Sequence, residues 1–233
     1  MNIAIIKAGG TGNRMAAGIP KQFVNVKGKP VIIYTLEAFQ NHPCIDAIYV
    51  VCVDGWVVNM QKFAKTYGID KLAGIVDGGE TSLDSIRNGV NAIRDKYSDD
   101  DIVLIHDANR PCLSQDIISG VLAECEKSGM AVAAVPCDDE VAIVKSDNKT
   151  ESEGFADHKS LYRIQTPDAY RLNVIKDIFD RATDEQMKRI GATNVLAIEE
   201  GYKMHFSSGS ALNIRLTTME DIVLMKGILE EMD

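Results

Sequence analysis

Scarcity sets the first limits on this 233-residue chain. Aromatic residues make up 6% of it, with a single tryptophan, and no apolar run approaches the roughly 20 residues needed to span a bilayer. The N-terminus has no apolar signal core; residues 2–6, NIAII, read as a strand. A membrane partner is not expected, and the cytoplasm is the expected compartment. The five cysteines (Cys44, Cys52, Cys112, Cys125 and Cys137) are scattered, odd in number and without a CxxC pair. Buried free thiols fit that pattern better than disulfides or a zinc site. Cations are also in deficit, 25 against 34 acidic residues, for a formal charge of −9. Such a surface argues against nucleic acid or an anionic membrane as a partner.

Against that deficit, KAGGTGNRMAAGIPKQF (7–23) gathers four glycines with Lys7, Arg14 and Lys21, and Lys27 and Lys29 follow closely. The plain reading is a solvated basic patch; the glycines favour a local anion site. A P-loop needs GxxxxGK[ST], and no Lys-Ser/Thr pair follows Gly9, Gly10 and Gly12. A dinucleotide fingerprint needs a third glycine where Met15 stands, and Asp54 lies too far along to be its ribose-binding acid. What survives is a glycine turn whose backbone N–H groups approach an anion. Arg14 and Lys21 are placed after it to neutralise the phosphates of a nucleoside triphosphate.

Apolar strand-like runs at 2–6, 47–53, 73–79, 101–111 and 130–136 alternate with helical spacing at 31–40, 56–68, 82–97 and 114–129. Gly68 fits a helix C-cap, and Thr81 and Ser114 fit N-caps. This alternation predicts an α/β fold with an open, mostly parallel, Rossmann-like sheet covered on both faces. Ligands of such sheets bind at the carboxyl ends of the strands, where loops 8–22, 78–85 and 107–112 fall. The pattern breaks at Cys137. Residues 137–162 are polar, with an alternating run at 141–145, a turn-rich centre at 146–154 and a return strand near 161–165. That reads as a projecting β-hairpin arm, and an arm too polar to pack on its own core is expected to clasp a second copy as a homodimer.

AGGTGNRM…PKQF resembles the opening signature of the cytidylyltransferases that make CDP-activated sugar alcohols, the methylerythritol-phosphate and ribitol-5-phosphate enzymes. The similarity continues in order through GGETSLDSIRNG (78–89), HDANRP (106–111), QTP (165–167) and NIRLTTMEDI (213–222). AGGTG and LYRIQTPDAYR are closer to the ribitol-phosphate branch. The resemblance implies a single nucleotidyltransferase domain over 1–233, with CTP, a polyol phosphate and Mg²⁺ in its cleft. By position, Ala8, Gly9, Gly10, Thr11, Gly12, Gly78, Gly79 and Ser85 would shape the cytidine pocket, and Thr81 and Asp84 its edge. Arg14, Lys21 and Arg215 would be the catalytic cations. Asp107 would face the nucleotide, the polyol and the metal, and Arg110 and Thr166 the polyol phosphate. Each has a plain alternative: Asp107 as a loop cap, Arg110 as a surface ion pair, Thr166 as an edge-strand residue. The reaction implied is attack by an acceptor phosphate oxygen on the α-phosphorus of CTP, with pyrophosphate leaving. An anionic nucleophile needs no general base, so catalysis would be positioning and charge neutralisation.

Several positions depart from that family pattern. Ser82 stands where arginine is usual, Arg215 where lysine is usual, Asn194 in place of an acid, and Lys7 where an apolar residue or proline ends the first strand. In the arm, His158 replaces an arginine and Glu140 a threonine; both belong to the expected acceptor-binding set. A glutamate facing a phosphate would repel it, and a histidine carries only partial charge near pH 7. These substitutions point to a smaller or differently shaped acceptor such as a glycerol phosphate; the acceptor expected is ribitol 5-phosphate or a glycerol phosphate, with methylerythritol phosphate as the alternative. They lean towards wall or capsule polymers rather than isoprenoid precursors. The missing cation at Ser82 keeps open a catalytically silent nucleotide-binding relative.

Overall fold

The computed structural model of the chain describes residues 1–10, 19–145 and 149–232. Strand β1 (Asn2–Ala8) is apolar on both faces, as a central parallel strand must be. A 3-10 turn at Lys21–Phe23 leads to the short ribbon β2 (Asn25–Val26) and β3 (Lys29–Pro30), then helix α1 (Val31–Gln40). Strand β4 (Ala47–Cys52), helix α2 (Val57–Thr66), strand β5 (Leu72–Asp77), helix α3 (Ser82–Ile93) and strand β6 (Ile102–Asp107) continue the alternation. Helix α4 (Gln115–Ser128) and strand β7 (Met130–Pro136) follow, then the hairpin of β8 (Val141–Val144) and β9 (Ser152–Ala156). Strand β10 (Tyr162–Arg171), helices α5 (Leu172–Arg181), α6 (Asp184–Arg189) and α7 (Thr193–Glu199), strand β11 (His205–Ser208) and helix α8 (Met219–Met232) complete it. Among the described residues no helix is long and apolar enough to cross a membrane.

Seven strands form one sheet in the order β11-β7-β10-β6-β1-β4-β5. Pairing is parallel from β6 through β1 and β4 to β5, and β10 runs antiparallel between β6 and β7. The chain leaves β1 towards β4 on one side and later returns to β6 on the other. Their connections part there and open a crevice at the strands' carboxyl ends. Alternation along β1 sorts its side chains between two cores. Ile3 and Ile5 pack with Leu83, Ile86 and Val90 of α3 and with Ile175 of α5. Ala4, Ile6 and Ala8 pack with Leu36 of α1, Met60 of α2 and Val121 of α4. Each fully buried isoleucine contributes roughly 1.5–3 kcal/mol relative to exposure.

Three expectations change. The 82–97 helix ends at Ile93, four residues early. Ser114 holds the N-cap backbone position of α4 but makes no side-chain cap bond. The hairpin's return strand is β9, whereas the run at 161–165 enters the main sheet within β10. The strand's start in that polar region joins the sheet through β7, with Tyr162, Arg163 and Ile164 opposite Pro136, Val135 and Ala134. The five cysteines are free thiols, as expected, but Cys44 is exposed.

Helix α3 sits close to the sheet because Gly89 has no side chain: a Cβ there would come within 2.9 Å of Ile5 Cγ2 and Val51 Cγ2. Gly89→Val is therefore expected to overpack that seam and cost about 1–3 kcal/mol. A drop in the midpoint of urea unfolding at unchanged slope checks it.

Candidate active site

The crevice between β1 and β6 is a cleft of about 430 Å³, lined from four loops by Gly9 and Gly10, Lys21 and Gln22, Gly79 to Ser82, and Asp107 to Asn109, with Ser85 and Arg215. Lys7, Lys21 and Arg215 set three cations against Glu80 and Asp107, a positive balance in a chain of charge −9.

The PKQF segment builds one wall by dividing its labour. Phe23 stacks on Trp56, ring centroids 4.2 Å apart and 4° from parallel. Gln22 is buried, and its Nε2 donates to the carbonyls of Ala8 (2.7 Å) and Gly10 (3.0 Å). These carbonyls lie where β1 leaves the sheet; the Ala8 carbonyl also accepts from the Val53 N–H at 3.1 Å, so the amide is its second donor and ties the Gly10 carbonyl to the strand's end. Lys21, on the same short turn, lines the cleft.

The opposite wall is the start of α3. Thr81 forms a full capping box with Asp84: its Oγ1 accepts from the Asp84 N–H at 3.0 Å, and the Thr81 N–H donates back to Asp84 Oδ2 at 3.2 Å. Ser85 Oγ accepts from the Gly79 N–H and donates to the Thr81 carbonyl, both at 3.0 Å. The loop folds so tightly on α3 that a Cβ at Gly79 would lie 2.4 Å from Asp84 Cβ. Gly78 and Gly9 bring their backbones together, with the Gly78 Cα 3.6 Å from a Cβ built at Gly9.

Asp107 closes the floor. Its Oδ1 lies 2.9 Å from Lys7 Nζ, and its Oδ2 lies 3.7 Å from Arg110 Nε and 4.0 Å from Arg215 Nη1. Its backbone N–H donates to Thr166 Oγ1 at 3.1 Å. Burial alone would raise this carboxyl, but Lys7, Arg110 and the neighbouring His106 outweigh it and hold Asp107 well below the usual carboxylate range. Arg215 is carried on a strap tied from beneath. Asn213 Nδ2 donates to the Thr166 carbonyl (2.9 Å), Arg110 Nη1 to the Asn213 carbonyl (2.7 Å), and the Leu216 N–H to the Asn109 carbonyl (2.9 Å).

A family model described as 2-C-methyl-D-erythritol 4-phosphate cytidylyltransferase matches residues 2–231. The chain belongs to this family. It is a nucleotidyltransferase of the cytidylyltransferase kind, and a cationic cleft at the β1–β6 crevice suits such chemistry. It is 39% identical to a ribitol-5-phosphate cytidylyltransferase of Lacticaseibacillus paracasei, over 99% of each chain. It is 35% identical to a 2-C-methyl-D-erythritol 4-phosphate cytidylyltransferase of Syntrophus aciditrophicus, over 98% of this chain and 96% of the relative. Among solved structures, the 2-C-methyl-D-erythritol 4-phosphate cytidylyltransferase of Francisella tularensis superposes with a TM-score of 0.80 at 26% identity, covering 97% of this chain and 99% of that one. The 4-diphosphocytidyl-2C-methyl-D-erythritol synthase of Anaerococcus prevotii shares the fold, with a TM-score of 0.82 at 24% identity over 99% and 96%.

In this cytidylyltransferase the expected residues divide into groups. Gly9, Gly10, Lys21, Gly79, Thr81, Ser85, Asp107 and Arg215 line one cleft. Ala8 and Gly78 support it from behind, through the Gln22 amide on the Ala8 carbonyl and the Gly78 N–H on the Cys52 carbonyl. Thr11, Gly12 and Arg14 lie outside the described residues. Four of the expected acceptor-binding residues do not line the cleft. Arg110 is buried and does not line the cleft: its Nη1 donates to the Asn213 carbonyl, while its Nε, 3.7 Å from Asp107 Oδ2, has no hydrogen-bond partner among the described residues. Thr166 is also outside the lining, its Oγ1 accepting from the Asp107 N–H. Glu140 and His158 are absent from the lining and face each other, Oε1 to Nδ1 at 3.4 Å, so the glutamate meets a histidine rather than a phosphate within this chain. Closeness in sequence also misled for two cations, since Lys29 binds both oxygens of Glu37 and Lys27 lies 4.0 Å from Glu230. Sequence reasoning passed over Gln22, Asn109 and Asn213. Their one signal was a polar side chain inside a motif otherwise explained by charge and glycine.

Behind the cleft lies a buried polar layer. His106 Nε2 lies 3.1 Å from the Arg110 carbonyl, its Nδ1 has no partner, and burial pushes its pKa down to about 4. Asp168 accepts from the Tyr170 hydroxyl at 2.7 Å, yet burial raises its carboxyl to about 6. The two oppose each other in acid. Between about pH 6.5 and 4 the unfolded chain binds more protons at His106, so that contribution to stability is lost as pH falls. Between about pH 6 and 3.8 the folded chain binds more protons at Asp168, so that contribution grows as pH falls. Asp168→Asn removes the second effect alone. Scanning calorimetry is expected to find the variant melting above wild type at pH 7, with the advantage gone by about pH 4. A constant offset across that range would defeat the assignment.

Proposed function

We propose that this enzyme transfers the cytidylyl group of CTP to the phosphate of a polyol, ribitol 5-phosphate first among acceptors, giving a CDP-alditol and pyrophosphate. The observation that carries this reading is the gathering of Lys21 and Arg215 with the Gly9–Gly10 and Gly79–Thr81 loops around one cleft at the sheet's crevice. Full-length similarity to a ribitol-5-phosphate cytidylyltransferase supports the acceptor. Glu140 lies beside His158 and outside the cleft lining, so its repulsion of a phosphate there no longer argues for a glycerol phosphate. Methylerythritol phosphate is the second reading, supported by the family model and the Syntrophus relative.

In this mechanism the acceptor phosphate oxygen attacks the α-phosphorus and no side chain removes a proton. The two glycine loops shape the nucleotide's seat, the second held rigid because its Gly78, Gly79 and Thr81 N–H groups are bound by Cys52, Ser85 and Asp84; Lys21, Arg215 and, by its motif position, Arg14 neutralise the phosphates as charge builds. Among the described residues no group of three His, Cys, Asp or Glu side chains is placed to hold a metal. The donor set therefore suits Mg²⁺ carried by substrate phosphates with one protein carboxylate, Asp107, and the ion when bound supplies charge neutralisation. The reading extends to a cytoplasmic homodimer making precursors of wall or capsule polymers. The arm leaves Phe155 77%, Ile143 49% and Val144 46% exposed, an apolar surface suited to a second copy. Phe155→Asp is expected to halve the mass seen by light scattering; a mass identical to wild type would remove the arm from assembly.

Pyrophosphate release with CTP across ribitol 5-phosphate, glycerol phosphates and methylerythritol phosphate tests the reaction. Turnover is expected to be highest with ribitol 5-phosphate, and CTP binding without turnover on any acceptor would defeat the reading. Lys21→Met is expected to lower kcat by about 10²–10³ with circular dichroism and melting unchanged.

A further inference from the structure

We propose that Lys7 is a substrate-contacting cation of the cleft, held by Asp107 and Ser82 until a phosphate arrives; this rests on the transferase reading above. Lys7 continues the face of β1 that carries Ile3 and Ile5, both fully buried, and is the last side chain of that stripe before the strand ends. A cation there costs desolvation along its stem, so its head must be satisfied at the strand's open end. Its Nζ lies 2.9 Å from Asp107 Oδ1 and 3.2 Å from Ser82 Oγ, and the side chain keeps a quarter of its exposure. An ammonium has three N–H donors, and these two partners take two.

The position is the seam of the site. Ser82 opens α3 directly after the Gly79–Thr81 loop on the nucleotide side, whereas Asp107 ends β6 beside the strap that carries Arg215. Transfer requires the acceptor phosphate and the α-phosphate to approach despite like charge, and a cation is most useful where they meet. The competing role is purely structural, with Lys7 neutralising Asp107. Arg110, more deeply buried than Lys7, already lies 3.7 Å from that carboxylate, and Arg215 lies 4.0 Å from it. An exchange of Lys7 from Asp107 to a phosphate therefore leaves Asp107 with two cationic neighbours.

The test measures kcat, both KM values and calorimetric CTP affinity for wild type, Lys7→Met, Lys7→Arg and Lys7→Met/Ser82→Arg, using CTP and the best acceptor of the panel. Lys7→Met is expected to lower kcat about 100-fold while KM for CTP moves less than tenfold. Lys7→Arg is expected to recover at least tenfold of that loss. The double variant, whose arginine starts 3.2 Å from the space Nζ leaves, is expected to exceed Lys7→Met by a similar factor. The proposal is overturned if Lys7→Met stays within threefold of wild type, or if folded Lys7→Arg is no better than Lys7→Met. Should Lys7→Met not fold, the double variant restores a cation near Asp107, and a folded but inactive double variant overturns it equally. Wild type inactive on every acceptor defeats the transferase reading instead, leaving the two failures distinguishable.

Discussion

Everything in the cleft depends on how β1 ends. A central parallel strand has its amides and carbonyls paired on both sides, but β1 must leave the sheet at Ala8 to open the crevice, and the carbonyls beyond that point lose their ladder partners. The Gln22 amide takes the Gly10 carbonyl and, at once, the Ala8 carbonyl that the Val53 N–H still serves. It is held there by Phe23, its neighbour on the same short turn, which stacks on Trp56. The glycines can then remain open loop, with their backbones available, because a side chain from elsewhere fixes where the loop begins. Lys21 gains its position from the same anchor.

A second layer of buried polar groups keeps the other rim in place. Arg110, Asn213, Asn109 and Thr166 are linked by hydrogen bonds that end at the Asp107 backbone and the strap carrying Arg215. Desolvation is offset here because most of these groups meet backbone carbonyls or amides. The arrangement explains how an exposed arginine on an irregular segment can be held beside a buried carboxylate: the strap's backbone is fixed even though the side chain is not. Substrate cations on rigid supports need less ordering when ligand binds.

Much of the fold was legible because its signals are local. The unbroken apolar run of β1, the Thr81 cap and the Gly79 turn each carry their own instruction. The site was legible where its residues sit beside glycines at strand ends. What could not be read depended on distant partners. Lys29 and Lys27 join the basic cluster in sequence but turn to Glu37 and Glu230 in space. Arg110 looks like a surface cation until Asn213, more than 100 residues later, accepts its bond. The strand at 161–165 reads as part of the arm because nothing in those residues announces β7 as its partner. Lys7 and Ser82, two separate oddities in sequence, form one contact in the fold.

The stacking of Phe23 on the chain's one tryptophan has a use beyond anchoring. The indole sits one side chain away from the glutamine that grips the glycine loop and from the lysine at the cleft's mouth. A ligand that shifted that turn would slide a benzyl ring across the indole, changing the surroundings of Trp56.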